Sequence, residues 1–430
     1  MERAVDARLE TTRARPSPSK LEFARFSLWA GVVGFGGGLS VLAILRSRAV
    51  TEKGWVTERE FDNTATVAQM LPGGAAANAL ALLGMRFFGT EGAVGAYATF
   101  IFPGFVAILA LAGFYTRLAG APHVQAFLGG LNAAVAGIVA AITLQMIRSS
   151  VARFWQVGVA GVALALSLEG GGSPGEVALL GICAGLFLDV AMKRARLART
   201  RKARAASPPV ALPDEGEPLR RRGASELQGD ATAGRDASEL RSGVLVPLAV
   251  ALAMTAGAGM LLSLFILFLR TGLGAYGGGF AIVPHLQATL VGGGELTDRQ
   301  FADAVAIGKL TPGPVLLMAT FIGYVKEGLA GALVATAAIF AAPLVLTIAL
   351  GRWLARHRSR RSVRAALRGL TPAVVGMMAA AALTLAMSLD GTRELAIAVA
   401  VGMTLTRFRV NPVLMLVIGG AAGALLSRVG

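Results

Sequence analysis

Three consecutive glycines, Gly36, Gly37 and Gly38, stand inside the apolar run VGFGGGLS, and three more, Gly277, Gly278 and Gly279, follow Ala275 and Tyr276 in AYGGG. Two other apolar runs carry Pro72-Gly73-Gly74 and Pro312-Gly313-Pro314. Glycine and proline are the poorest helix formers, and proline also removes a backbone donor and clashes with the preceding turn. In hydrocarbon, the backbone groups freed at such breaks must be satisfied by protein or line a wet cavity. A broken helix also exposes a half-helix N-terminus. Its free N–H groups and positive dipole attract anions, each contact worth up to about 2 kcal/mol in partly buried geometry. The chemistry open to these residues is therefore anion binding by backbone.

Two cations stand close to the breaks. Arg270 lies about two turns before the second triple glycine, and Lys309 lies three residues before Pro312, the place that Gln69 holds before Pro72. An arginine at membrane depth costs about 2.5 to 3.5 kcal/mol unless it faces a cavity or partner, so Arg270 reads either as an anion-attracting group or as a snorkelling or paired side chain. Gln69, Asn78 and Thr311 are neutral hydrogen-bonding candidates that serve equally well as helix-packing contacts. Glu58 and Glu60 in TERE, and Asp298 in TDRQ, follow a threonine and read first as helix N-caps with acidic first turns. A proton-coupling role for these carboxylates or for His285 is the sharper alternative.

Other chemistry is poorly supplied. The chain has one cysteine, Cys183, and its three histidines, His123, His285 and His357, are scattered. No spacing resembles a metal or haem site, so the expectation is a protein without enzymatic activity, cofactor or metal. The formal net charge of +16 would suggest nucleic acid in a soluble protein, but the arginines concentrate in two polar stretches, 193–222 and 352–368. Both read as cytoplasmic under the positive-inside rule.

The elements that must position these residues are membrane helices. Of 430 residues 55% are hydrophobic and 15% charged, and apolar runs long enough to cross a bilayer follow one another. The breaks belong to an internal repeat. GFGGG at 34–38 matches AYGGG at 275–279, WVTEREF at 55–61 matches ELTDRQF at 295–301, and QMLPGG at 69–74 matches KLTPGP at 309–314. Gly84 with Gly323, Pro103 with Pro343, and GLNAAVAG at 130–137 with GLTPAVVG at 369–376 hold the same offset. One broken helix is explained by a tight crossing or a structural kink. Discontinuous helices at corresponding places in two repeats point instead to a transport site.

The expected architecture is an all-α polytopic membrane protein. A cytoplasmic tail, 1–20, precedes a first six-helix half, 21–192; a basic disordered linker, 193–242, and an extra transmembrane helix, 243–260, lead to the second half, 261–430. The first-half helices are expected over 22–45, 61–85, 94–115, 126–147, 154–168 and 177–192. Six crossings, one extra and six more make about thirteen, with the halves inverted, the N-terminus inside and the C-terminus outside. That count puts Arg46–Asp62, with its four basic residues, outside.

The paired FGGG and PGP signatures, the intervening W-(L/V)-(T/S)-(E/D)-x-x-F segment and the string YGGGFAIVPHLQ…LTDRQFADAVAIGKLTPGPVLLMATFIGY resemble the chromate ion transporter family in its long two-domain form. The resemblance implies efflux of chromate, a tetrahedral divalent oxyanion, across the bacterial inner membrane, driven by the proton motive force. Sulfate is close to chromate in size and charge and is an alternative substrate, as a passive anion channel is an alternative mechanism. Protons are the candidate coupling ion, and a homo-oligomer is compatible with the sequence. This chain departs from the family pattern at Gly74, in place of a second proline, and at Lys309, in place of a common glutamine. The residues expected to meet the substrate are Arg270, Lys309, Gln69, Asn78, the two triple glycines and the two Pro-Gly breaks.

Overall fold

The computed structural model describes residues 16–35, 38–170, 172–206, 258–408 and 410–427. Among them every regular element is helical: α1 (Lys20–Val33), α2 (Gly38–Arg46) with a π-helical turn Ser47–Glu52, α3 (Glu58–Met70), α4 (Ala75–Leu118), α5 (Pro122–Ser150), α6 (Phe154–Leu168) and α7 (Pro174–Ala206) in the first half. The second half contains α8 (Ala258–Leu273), a 3-10 turn Gly277–Ile282, α9 (Val283–Leu290), α10 (Asp298–Leu310), a 3-10 turn Val315–Leu317, α11 (Met318–His357), α12 (Arg361–Met387), α13 (Thr392–Arg407) and α14 (Pro412–Leu426). Five helices are long and apolar enough to cross a membrane, and 154–168, 259–273 and 412–426 are shorter apolar helices.

The N-caps form as the sequence indicates. Thr57 accepts from the Glu60 N–H while the Glu60 carboxylate accepts from the Thr57 N–H, and Thr297 with Gln300 repeats this capping box on α10. Both pairs satisfy donors that a helix start leaves orphaned.

The helices end where glycine and proline break them, and this changes the expected crossings. Helix 22–45 is two helices, α1 and α2, and helix 61–85 is divided into α3 and the start of α4. Each broken segment doubles back. Lys53, beyond α2, pairs with Glu22 at the start of α1 at 2.9 Å, and the Trp55 ring lies 6.0 Å from that of Phe23. Arg86 likewise pairs with Glu60 at 2.6 Å, joining the far end of one arm to the start of the other. In the second half Lys326 pairs with Glu295 at 3.2 Å across the arms of 298–310 and 318–326. Two of the six expected first-half helices are therefore helical hairpins that double back, and four further helices, 90–118, 122–150, 154–168 and 174–206, follow them.

A second turn was not expected. Within α4 the backbone leaves helical geometry at Gly89 (φ 68°, ψ −153°), and within α11 at Gly328 (φ 56°, ψ −144°). Positive φ is cheap only for glycine, and here it reverses the chain. A Cβ on Gly84 would collide with the Gly92 backbone, and one on Gly323 with Gly331. So α4 comprises a hairpin arm, 75–88, and a longer apolar helix, 90–118; α11 divides in the same way.

The halves exchange their later helices. α5 packs on α13 and α14, while α12 packs on α5 and α6. Small residues allow these approaches: added Cβ atoms would strike Ala398 from Gly137, Gly419 from Gly130 and Ala160 from Gly376. The compact body comprises residues up to Phe187 and from Gly259 onward. α7 continues as helix to Ala206, where the basic linker was expected to be disordered from 193. The rest of that linker and most of the extra segment 243–260 lie outside the described residues.

Candidate functional site

The four breaks meet through their backbones. The Gly73 N–H donates to the Ala275 carbonyl at 2.8 Å, and the Gly313 N–H donates to the Gly34 carbonyl at 3.2 Å. These bonds are repeat equivalents of each other, each running from the Pro-Gly break of one half to the glycine-rich break of the other. Reciprocal contacts of this kind are what a two-fold relation between surfaces produces. Gly73 and Gly313 have φ of 99° and 106°, in the left-handed region that disfavours any side chain. Neighbouring contacts repeat too: Gly31 lies against Phe100 and Pro103, and Gly272 against Ile339 and Pro343. Gly74 faces Pro314, whose Cγ would be 3.3 Å from an added Cβ, so the second proline missing from the first half is absent where two prolines would crowd each other.

Helix starts converge at this junction. The N–H groups of Ala75, Ala76 and Ala77 at the head of α4, and of Val315 and Leu316 after Pro314, have no acceptor among the described residues. Lys309 is 6% exposed, with its Nζ 5.4 Å from the centre of the Phe280 ring. Among the described residues no carboxylate pairs with it. A buried ammonium with no counter-charge among the described residues is complementary to a small anion.

The expected site residues divide into groups. Gly277, Gly278 and Gly279, with φ of 63°, 71° and 96°, form the 3-10 turn that leads into Phe280. Gly38 opens α2 beside Ala75, and Gly36 and Gly37 lie outside the described residues. The Pro312 carbonyl sits against Gly104. Asn78 is fully buried and acts as a brace. Its Nδ2 donates to the Pro72 carbonyl at 2.9 Å and to the Ala68 carbonyl at 3.1 Å, both freed by the break. Gln69 is exposed and bonds its own helix at the Ala65 carbonyl, unlike its buried repeat partner Lys309. Thr311 bonds back to Ile307.

Arg270 lies on α8, five residues before Ala275. It is exposed on α8, on the face that carries Leu262, Ile266 and Leu273, with no partner among the described residues. Glu58 pairs with Arg46 at 3.2 Å, and Asp298 accepts from Gln287 at 2.7 Å. His285 is half-buried on α9.

One cluster escaped the sequence analysis. Asp303, 1% exposed on α10, accepts from Asn132 Nδ2 at 2.8 Å and from the Tyr115 hydroxyl at 3.0 Å. Both donors come from the first half. An acid within the apolar run FADAVAIG is the signal that marks it, since ionisable residues at membrane depth are rare and functional. Its repeat partner, Asn63, carries no charge and does not announce it.

The comparisons with known proteins agree with the repeat. The family model described as chromate transporter matches residues 21–188 and again 262–424. The chain is 28% identical over 377 residues to a chromate transport protein of Cupriavidus metallidurans, covering 86% of this chain and 84% of that one. It is 28% identical over 438 residues to a chromate transport protein of Pseudomonas aeruginosa, covering 99% and 96%. An uncharacterized transporter of Methanocaldococcus jannaschii is 24% identical over 413 residues, 96% of each chain. No solved structure matches.

Proposed function

The chain belongs to the chromate transporter family, and on that premise we propose that it is a secondary transporter exporting chromate, or a similar tetrahedral oxyanion, across the bacterial inner membrane. The observation that carries the reading is Lys309, a buried cation without a counter-charge beside the junction of four helix breaks. The substrate sits against Lys309 and the free N–H groups at the starts of 75–88 and 315–326, and Arg270 has no part in that site. A divalent anion leaving a negative-inside cell gains about 2.3 kcal/mol per elementary charge per 100 mV. The membrane potential therefore assists export.

The halves are inverted in this reading, with four crossings each. The ends of the first-half hairpins, at Lys20, Lys53 and Arg86, define one side, and helix 90–118 leads from it to the other. Supporting the inversion, Tyr115 and Gln125 at the far end of that passage bond Asp303 and Arg299, near the start of the second half's hairpin. Charge supports an orientation. The first side carries Lys20, Arg46, Arg48, Lys53, Arg59 and Arg86, and Gly351 packs on Leu82 to bring the arginines of 352–368 to the same side. The other side has few basic residues, among them Arg117, Arg299, Lys326 and Arg393. The first side is then cytoplasmic, and Arg46–Asp62, expected outside, belongs there because its hairpin returns.

Reconstituted into liposomes, the chain is expected to carry chromate with saturable kinetics, with sulfate competing if it shares the site. Lys309→Gln should raise KM about tenfold or more, from loss of a desolvated charge contact. Chromate flux with unchanged KM in that variant overturns the assignment of Lys309.

A further inference from the structure

Asp303 is placed where a fixed negative charge is costly. Burying a carboxylate without a cation carries a penalty of several kcal/mol. Its partners are two neutral donors, the Tyr115 hydroxyl and the Asn132 amide. The charged groups that face it are Arg299, one turn earlier on α10 and donating to the Gln125 carbonyl at 3.1 Å, and Glu394 at the start of α13. Among the described residues no cation stands within ion-pair distance of it. The second observation is Asn132 Oδ1, a buried acceptor without a partner.

These features suit a group that gains and loses a proton. Ionised, Asp303 accepts both bonds and ties α10 to helix 90–118 and α5. Protonated, it loses its charge and acquires a donor, and a turned Asn132 amide, identical in shape, presents Oδ1 to receive it. The Tyr115 ring holds its own place against Phe321, edge-on with centroids 5.0 Å apart. The repeat supplies a contrast: on α3 the equivalent Asn63 lies on a partly open helix, whereas 301–309 on α10 are buried throughout.

We propose that Asp303, with Tyr115 and Asn132, is a proton-binding site that latches the outer end of the transport path. A proton arriving from outside neutralises the carboxylate and loosens the bonds between the halves, so that the path opens outward and the anion leaves. The same proton is released to the cytoplasmic side when the path reverses. This proposal rests on the transport reading above.

The test uses the full chain in liposomes with a trapped pH dye. Wild-type protein should move protons against chromate. Asp303→Asn should keep chromate exchange at equal concentrations within about threefold of wild type but lose proton movement, as removal of a coupling group predicts. Asp303→Glu should restore it in part. Proton movement undiminished in Asp303→Asn, or chromate flux without protons in wild type, overturns the proposal and leaves the transport reading standing. Absence of chromate flux in wild type defeats both. Should Asp303→Asn lose exchange as well, Tyr115→Phe keeps the carboxylate but removes one donor, and the pH midpoint of flux should move by about one unit; an unmoved midpoint overturns the proposal.

Discussion

Asn78 shows how a single side chain makes a break tolerable. Its amide closes off the carbonyls of Ala68 and Pro72, which the interrupted helix no longer satisfies. Asn78→Leu leaves those acceptors unpaired and should lower stability by about 1 to 3 kcal/mol, measured as a fall in the unfolding midpoint in detergent, with the KM of the remaining fraction unchanged. Glu60 offers a pH test at the water-facing start of α3. Burial alone would raise its carboxyl, but hydrogen bonds from Arg86 and Thr57 outweigh it and hold the group at about 2, against 4.5 for the free side chain. A depressed value stabilises the fold above about pH 4.5 and is lost as pH falls towards 2. Wild type should therefore lose up to about 1 kcal/mol more than Glu60→Gln on acidification through that window, read from unfolding midpoints at stepped pH. The threonine caps and the Pro-Gly breaks were legible in the sequence because each is a local rule of backbone chemistry. Asp303 is marked in the sequence only as an acid in an apolar run; its role was not legible, because it comes from Tyr115 and Asn132, which are distant in sequence.

At the scale of elements, the two repeats differ in a way that bears on transport. α10 is covered by α5 and α11, whereas α12, the equivalent of α5, packs on the 3-10 turn 277–282 and α9. α3 is left with Asp62, Thr66 and Gln69 exposed along one face. Polar groups at that spacing face water more cheaply than lipid, so the proposed topology makes α3 the lining of an open approach on the side of Lys20 and α10 the seal of the opposite one. In a Cys183→Ser background, Thr66→Cys should react with a charged maleimide about tenfold or more faster than its equivalent Ala306→Cys, as local opening is needed for the buried site. Equal rates would contradict the asymmetry. Hydropathy gave the apolar runs but not their direction: a run of 24 residues counts as one crossing whether it continues or folds back at its glycines. The fold-back is recorded in pairs such as Lys53–Glu22, which no window of apolar residues contains.

For the whole molecule, hairpins in place of crossings bring the charges into agreement. Glu52, beside the hairpin end that the proposed topology puts in the cytoplasm, and Gly293, beside its opposite number, should lie on opposite faces of the membrane. Single cysteines at these two positions, probed with an impermeant reagent in spheroplasts, should label from opposite sides; labelling of both from one side would exclude the inverted arrangement. The bonds Gly73 to Ala275 and Gly313 to Gly34 also bear on how such a molecule is made. The first half leaves the ribosome with one donor and one acceptor at its hairpin tips that nothing yet synthesised can satisfy. Their partners arrive some 200 to 280 residues later. The centre of the protein thus stays incomplete until the second half is made, and the early half must wait, inserted but unfinished, for the late one.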